Sequence, residues 1–357
     1  MVYGIMVGVF FGLLGLAFGS FLNVCIHRLP RRIVWLDARD QLLPATDSEY
    51  RDTHLARVNE QLRWFSIWRP RSACPECRNQ IAWYDNVPVV SWLVLRGRCR
   101  HCQAPISPRY MAVEIITGLL FVSAYAAFDA TWLAVKFCAF SFFLVGLIFT
   151  DAEWKLLPDA LTLPGLAVGL VSSLVAPMQD LGLRFMIPAL RTEAFRTDGP
   201  FSMTYVGTGP WRLASFLQSA GGALAGAAFV YGAGVLYMRM RPDLRERGEG
   251  AMGLGDVKLM AMIGSFLGLT LAGLTMFAAC LGGSAFGLGM VTRVWLKRRH
   301  RGHGRHIPAG RARQSAMLAF RHFQVPFGVF LGAAAIAAIY WGNNAVVWYA
   351  RFFRLER

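Results

Sequence analysis

The stretch TWLAVKFCAFSFFLVGLIFTDAEWKLLPDALTLPGLAVGLVSSLVA, residues 131–176, contains two long apolar runs joined by a short polar segment. The apolar runs cover about 131–150 and 160–177. A helix needs roughly 18 to 20 apolar residues to cross a bilayer. The stretch therefore predicts two membrane-spanning helices that are connected by a short turn at one face of the membrane.

The rest of the chain has the same character. Of its 357 residues, 55% are hydrophobic and only 16% are charged, which is well below the charged fraction of an ordinary soluble protein. The first apolar run has no charged segment before it and continues into NVCIHRLPRR, which favours a retained span over a cleaved signal peptide. We predict an all-α polytopic membrane protein with about eight transmembrane helices. The predicted spans are about 3–25, 111–128, 131–150, 160–177, 214–238, 257–269, 271–293 and 325–349.

The positive charge of the chain predicts its orientation. The net charge is +16, and basic residues crowd two segments: His27–Arg109, with fourteen arginines against eight acids, and the tract KRRHRGHGRH at 297–306. Lysine and arginine collect on the cytoplasmic side of membrane proteins, and we favour this explanation over nucleic-acid binding. Both chain ends then lie outside, although the terminal RFFRLER, with three arginines, departs from the rule.

The predicted spans divide the chain into three parts. Residues 1–25 form the first transmembrane helix, and residues 26–109 form a cytoplasmic domain. Residues 110–350 form a transmembrane domain with an outside loop at 178–213 and a basic cytoplasmic loop at 296–324, which we expect to lie near anionic lipid headgroups.

Four of the seven cysteines form a pattern within the cytoplasmic domain. CPEC at 74–77 and CRHC at 99–102 are separated by twenty-one residues, close to the spacing with which two knuckles present four thiolates to one zinc ion. Two disulfides are the alternative, which a reducing cytoplasm disfavours. A zinc ribbon does not reveal a function, since it can simply hold a small domain together. The predicted ligands are Cys74, Cys77, Cys99 and Cys102.

Among the acidic residues at or near the predicted spans, four on the predicted cytoplasmic side stand out. Asp151 ends the third span, Asp159 begins the fourth, and Asp256 begins the sixth within MGLGDVKLM, residues 252–260. Glu114 lies about one turn inside the second span. An ionisable group near hydrocarbon is costly, so such a residue indicates function by default.

An aspartic protease needs at least two neighbouring carboxyl groups. One, ionised, activates water, and its protonated partner donates a proton to the scissile carbonyl. Gly253 and Gly255 would leave room for an extended peptide beside Asp256. Helix N-capping is the alternative for the aspartates, and we favour it for Asp159. For Lys258 we favour a snorkelling interfacial position over a catalytic role.

Several segments resemble the bacterial type IV prepilin peptidases, which are membrane aspartic proteases. The resemblance covers both halves of the chain. It is carried by GLAFGSFLNVCIHRLP, RPRSACPEC, NVPVVSWLVLRGRCRHC, ISPRYMAVEIITG, TDAEWKLLPDALTLPG and GEGAMGLGDVKLMAMIGSFLG. The chain departs from the family pattern in VPFGVFLG, which lacks a second proline, and in two loops that are longer than usual.

The resemblance implies that Asp151 and Asp256 are the catalytic pair and that the cysteine tetrad is the one that accompanies the bifunctional members. Such enzymes cut prepilins and type II secretion pseudopilins after the glycine that ends a basic leader. They then methylate the new N-terminus with S-adenosylmethionine. The resemblance also implies the bacterial inner membrane, with the active site facing the cytoplasm.

Three alternatives remain. The enzyme could be a peptidase only, with a purely structural tetrad. A transporter would place its acids near the midplane and show internal repeats, and the sequence shows neither. A membrane-anchored zinc-ribbon binding protein would leave Asp151 and Asp256 unexplained.

Overall fold

The computed structural model describes residues 2–44, 48–68, 71–178, 195–199, 202–205, 210–240, 253–302 and 326–352. Most of the predicted outside loop at 178–213, most of the basic loop at 296–324, and the arginine-rich tail lie outside the described residues. The structural statements below refer to the described part of the chain.

The described chain is helical apart from one β-hairpin within the predicted outside loop. A 3-10 turn covers Trp83–Asn86, and a π-helical turn, Ala338–Gly342, separates the last two helices. The elements are α1 (Val2–Leu42), α2 (Ser48–Trp64), α3 (Val90–Val94), α4 (Arg109–Phe128), α5 (Trp132–Trp154), α6 (Asp159–Ser172), β1 (Phe195–Gly199), β2 (Ser202–Tyr205), α7 (Trp211–Met240), α8 (Leu254–Gly302), α9 (Phe327–Ala337) and α10 (Asn343–Phe352).

The prediction of an all-α polytopic membrane protein is confirmed. Among the described residues, six helical segments are long and apolar enough to cross a membrane, and α6 is a shorter apolar helix. Helix α8 is interrupted at Gly268, whose φ of 82° is a left-handed conformation that favours glycine. Its two parts correspond to the predicted spans 257–269 and 271–293, so the described helices account for all eight predicted spans.

Helix α1 is much longer than the predicted span at 3–25. Its 41 residues extend about 60 Å, roughly twice the thickness of the hydrocarbon core. Two glycines bring α1 against α4: a Cβ at Gly15 would lie 2.8 Å from the Cα of Gly118, and one at Gly19 would lie 2.7 Å from the Cα of Glu114. This contact holds α1 and α4, the helices before and after the cysteine domain, against each other, although they are far apart in the sequence.

Helix α7 and the first part of α8 also approach through glycines. A Cβ at Gly222 would lie 2.5 Å from the carbonyl oxygen of Gly264, and one at Gly264 would lie 2.1 Å from that of Gly222. Beside this contact, the Ser219 hydroxyl donates a hydrogen bond to the carbonyl oxygen of Ser265 at 2.6 Å. Small residues that allow close backbone approach are typical of helix pairs in membranes. This packing fixes the first part of α8, which carries Asp256 in its first turn.

We expect Gly222→Ala to destabilise the protein by about 1 to 3 kcal/mol, because the added methyl group must push two backbones apart. The matched control is Gly221→Ala, since nothing lies within 4 Å of a Cβ at this neighbouring position. Thermal unfolding in detergent micelles measures both variants. Equal melting temperatures for the two would contradict close packing at Gly222.

Candidate functional site

Asp151 lies in the last turn of α5 and is buried, with 6% of its surface exposed. The helix ends because Lys155 adopts a left-handed conformation (φ 53°, ψ 36°) while its N–H donates to the carbonyl oxygen of Asp151 at 2.9 Å. Pro158 then precedes the first residue of α6. The predicted short turn is confirmed, and it leaves the Asp151 side chain facing the helix bundle.

The carboxyl group of Asp151 is held by the N-terminus of α9. The Val329 N–H donates to Asp151 Oδ2 at 3.0 Å, and the N–H of Gly328 donates to the same carboxyl group. Position 328 has to be glycine-sized, because a Cβ there would lie 2.9 Å from Oδ2. The free N–H groups at a helix N-terminus form a favourable environment for an anion.

Asp256 is the third residue of α8 and is half-buried. Its carboxyl group lies within range of the charge on Asp151. Leu157, in the turn between α5 and α6, packs between the starts of α8 and α9. A Cβ at Gly255 would lie 3.0 Å from the Leu157 Cβ, and a Cβ at Gly328 would lie 3.2 Å from the Leu157 Cδ2. The structure therefore brings together two aspartates that are remote in the sequence.

The two glycines of the predicted site behave differently. Gly255 is packed against Leu157, whereas Gly253 is exposed and a Cβ there would lie 3.7 Å from Asp256 Oδ2, an ordinary contact distance. Among the described residues, close packing is therefore found at Gly255 and not at Gly253.

Asp159 and Lys258 form an ion pair with each other. Lys258 Nζ lies 2.7 Å from both carboxylate oxygens of Asp159. The N-capping interpretation of Asp159 was wrong, because the N-cap of α6 is Pro158 and no side chain caps this helix. Lys258 is paired with a carboxylate, and its interfacial position stays a prediction. The pair ties the start of α6 to the start of α8.

Glu114 is buried and belongs to a different part of the molecule. Its Oε2 accepts a hydrogen bond from the Val89 N–H at 2.7 Å, and the carboxyl group lies near the side chains of Ser20 and Asn23 on α1. Val89 has a φ of 62°, which is rare for a β-branched residue. Among the residues that the structure describes, Glu114 connects the cysteine domain to α4 through Val89 and lies against α1 at Gly19, and its hydrogen-bond partners do not include the aspartates.

The four predicted cysteine ligands form two knuckles with matching backbones. In each knuckle the N–H of the residue after the second cysteine donates to the carbonyl of the first, Arg78 to Cys74 at 2.9 Å and Gln103 to Cys99 at 3.0 Å. Arg78 and Gln103 both have positive φ angles, 59° and 58°. All seven cysteines are free thiols, so the disulfide alternative is not what the structure shows.

The cysteine cluster has the dimensions of a metal site. Four sulfurs about 2.3 Å from a tetrahedral ion lie about 3.8 Å apart; the Cys74 and Cys102 sulfurs are 3.8 Å apart, and all four lie within 4.8 Å of one another. The backbone N–H groups of Cys102 and His101 lower the pKa of the Cys99 thiol to about 7, which favours the thiolate that a metal needs. The donor set therefore fits a metal ion.

An ion pair supports this cluster from outside. Arg100 Nε and Nη2 donate to the two carboxylate oxygens of Asp85 at 2.7 and 2.6 Å, and these hydrogen bonds hold the pKa of Asp85 below its ordinary value. The guanidinium of Arg100 also lies 5.6 Å from the ring centre of Tyr84. The second knuckle is thereby fixed to the 3-10 turn.

The sequence reasoning missed the contribution of Leu157, Gly328 and Val329. The signal was present in Pro-Phe-Gly at 326–328, at the start of the last predicted apolar run. Proline followed by a helical run is typical of a helix N-terminus, where N–H groups are free to bind a carboxylate.

Comparison with known proteins gives two family matches and a set of close relatives. Residues 13–128 match the bacterial peptidase A24 N-terminal domain, and residues 200–288, which include Asp256, match the type IV leader peptidase family. The chain is 31% identical to the prepilin leader peptidase/N-methyltransferase of Aeromonas hydrophila, over 96% of this chain and 93% of that protein. It is 32% identical to the protein of the same name from Neisseria gonorrhoeae, over 84% of each chain. No solved structure matches the chain.

We expect purified protein to contain about one metal ion per chain, bound by the four cysteine sulfurs. Cys74→Ser should lose the ion, because oxygen is a poor substitute for one thiolate of a tetrahedral sulfur site. Elemental analysis measures the metal and identifies it. Cys280→Ser, which changes a cysteine outside the cluster, is the control, and equal metal content in both variants would contradict the site.

Proposed function

Because the chain belongs to the type IV leader peptidase family, we propose that it is a prepilin leader peptidase that uses Asp151 and Asp256 as a catalytic pair. The observation that carries this proposal is the convergence of the two carboxyl groups at one end of the helix bundle, each within range of the other's charge. Two neighbouring carboxyl groups share one proton, because their like charges repel.

The pair supplies both groups that peptide hydrolysis needs. The ionised carboxylate removes a proton from a water molecule, which attacks the scissile carbonyl carbon, while the protonated carboxyl group donates to the carbonyl oxygen. The tetrahedral intermediate then loses the amine, which leaves with a proton. No covalent enzyme intermediate forms, and no metal takes part in this step.

The substrates that fit this site are prepilins and type II secretion pseudopilins, cut after the glycine that ends their basic leader. Both aspartates lie at helix ends on the side of the membrane to which the positive-inside rule assigns the cytoplasm. A substrate with its apolar helix in the lipid and its leader in the cytoplasm would present its cut site at that boundary. We accordingly propose the bacterial inner membrane and contact with membrane lipid, and no nucleic-acid partner.

We also propose that the enzyme methylates the new N-terminus with S-adenosylmethionine, since its relatives are named prepilin leader peptidase/N-methyltransferase. The metal in the cysteine domain would be zinc, held by Cys74, Cys77, Cys99 and Cys102. Zinc in such a site stabilises a small fold with little hydrophobic core. Glu114 joins this domain to the membrane helices through Val89 and α1, so the domain would be positioned above the bundle.

We expect Asp151→Asn and Asp256→Asn each to lower the rate of leader release by about a hundred- to ten-thousand-fold, because each removes one partner of the proton transfers. The assay incubates purified protein in detergent with a prepilin and follows the shortened product on a gel. Asp129→Asn is the control, since Asp129 is exposed at the other end of the bundle and asparagine has nearly the same size and shape as aspartate. Full activity in either dyad variant would refute the pair.

With tritium-labelled methyl donor, we expect the cleaved pilin to carry the label on its N-terminal residue and the Cys74→Ser variant to lose this labelling while leader release continues. The reason is that the tetrad lies in a domain separate from the aspartates. Mass spectrometry of the product N-terminus measures both steps in one sample. Cleavage without any labelling in the wild-type protein would favour the alternative, a peptidase with a purely structural tetrad.

A further inference from the structure

The two carboxyl groups of the aspartate pair lie in different surroundings. Asp151 accepts hydrogen bonds from the backbone N–H groups of Gly328 and Val329, at the start of an eleven-residue helix. Asp256 lies in the first turn of α8, half-buried, and feels the negative charge of Asp151. Hydrogen bonds from fixed N–H groups stabilise a carboxylate, and a nearby negative charge favours the protonated form of its neighbour.

Among the described residues, the other charged groups at this end of the bundle do not reverse this difference between the surroundings of Asp151 and Asp256. Lys155, in the turn after α5, acts on Asp151 and also favours its ionised form. Residues 327–337 of α9 contain no ionisable side chain. Within the described part of the chain, the remaining charged groups nearby are Asp159 on α6, which is paired with Lys258, Glu153 at the end of α5, which is paired with Arg109 of α4, and Arg31 of α1, which lies over the ring of Trp154.

We infer that the N-terminus of α9 fixes the roles within the pair, so that Asp151 is the ionised member that activates water and Asp256 is the protonated member that donates to the carbonyl oxygen. This inference rests on the proposed function. It makes Val329 and Gly328 positioning residues that act through their backbone N–H groups, and it makes the requirement for glycine at position 328 part of the site.

The proton transfers balance over one turnover. Asp151 takes a proton from water as the new C–O bond forms, and the proton of Asp256 passes to the carbonyl oxygen. Asp256 then takes a proton back from one hydroxyl group of the tetrahedral intermediate, while Asp151 gives its proton to the departing amine nitrogen as the C–N bond breaks. Asp151 ends ionised and Asp256 ends protonated, as both began.

A proline at position 329 tests the inference, because it removes the N–H that Asp151 accepts. Val329 is the third residue of α9, where the N–H has no partner within the helix and proline is tolerated. Val329→Ala is the matched variant: it also removes the valine side chain but keeps the N–H, so the difference between the two variants reports the N–H alone. Leader release is measured for both between acidic and alkaline pH.

Relative to Val329→Ala, we expect Val329→Pro to have a roughly ten- to hundred-fold lower kcat/KM, the value of one hydrogen bond to a charged group. The acidic limb of its pH profile should move to higher pH by about one unit. The direction follows because a carboxylate that has lost a donor is protonated more easily, so the active form is lost sooner as pH falls. Coincident profiles for the two variants would overturn the inference.

An infrared measurement tests which aspartate is protonated without a substitution in α9. At the pH of maximal leader release, the difference spectrum between Asp256→Ala and the wild-type protein should show the loss of a protonated carboxyl band. The loss of a carboxylate band instead would overturn the inference, even if Val329→Pro fails to fold. Full leader release in Asp151→Asn or Asp256→Asn would refute the proposed function itself, whereas a wrong assignment of roles leaves both aspartates essential.

Discussion

The site depends on how a carboxyl group is accommodated in the interior of an apolar helix bundle. An unpaired charge there is strongly disfavoured, since neither water nor a counter-ion compensates for the lost hydration. The molecule places the N-terminus of α9 against Asp151, so that two backbone N–H groups take the place of water. Because backbone donors do not change with pH or rotamer, the carboxyl group is held in one position.

Close helix packing supplies the precision that this arrangement requires. Gly328 admits the carboxyl group, Gly255 admits Leu157, and the Gly222–Gly264 contact holds the first part of α8 against α7. In a membrane, helices gain little from burying apolar surface, so tight van der Waals contact through small residues carries much of the association. The same contacts that stabilise the bundle therefore determine the distance between the two aspartates.

The cysteine domain is stabilised by other means. It lies between α1 and α4, contributes few residues to the hydrophobic core, and has two matching knuckles whose sulfurs fit one metal ion. Glu114 connects it to the membrane helices, where a buried carboxylate accepts the N–H of Val89 in a strained conformation. Glu114 is thus a buried acid in a span, but its contacts connect the cysteine domain to the membrane helices.

The sequence by itself determined the membrane class, the positions of the apolar helical segments and the cysteine tetrad, because apolar run length and ligand spacing are local properties of a chain. The cost of charge near lipid selected four acids, and the resemblance to the prepilin peptidases singled out Asp151 and Asp256 among them. It misassigned Asp159, since a position at a helix start looks the same for an N-cap as for the partner of a distant lysine. Only the tertiary structure showed that Asp151 contacts the N-terminus of α9 and that Leu157 packs between Gly255 and Gly328. Those contacts join segments that lie about a hundred residues or more apart in the sequence, and their distances follow from how helices pack, which no local pattern encodes.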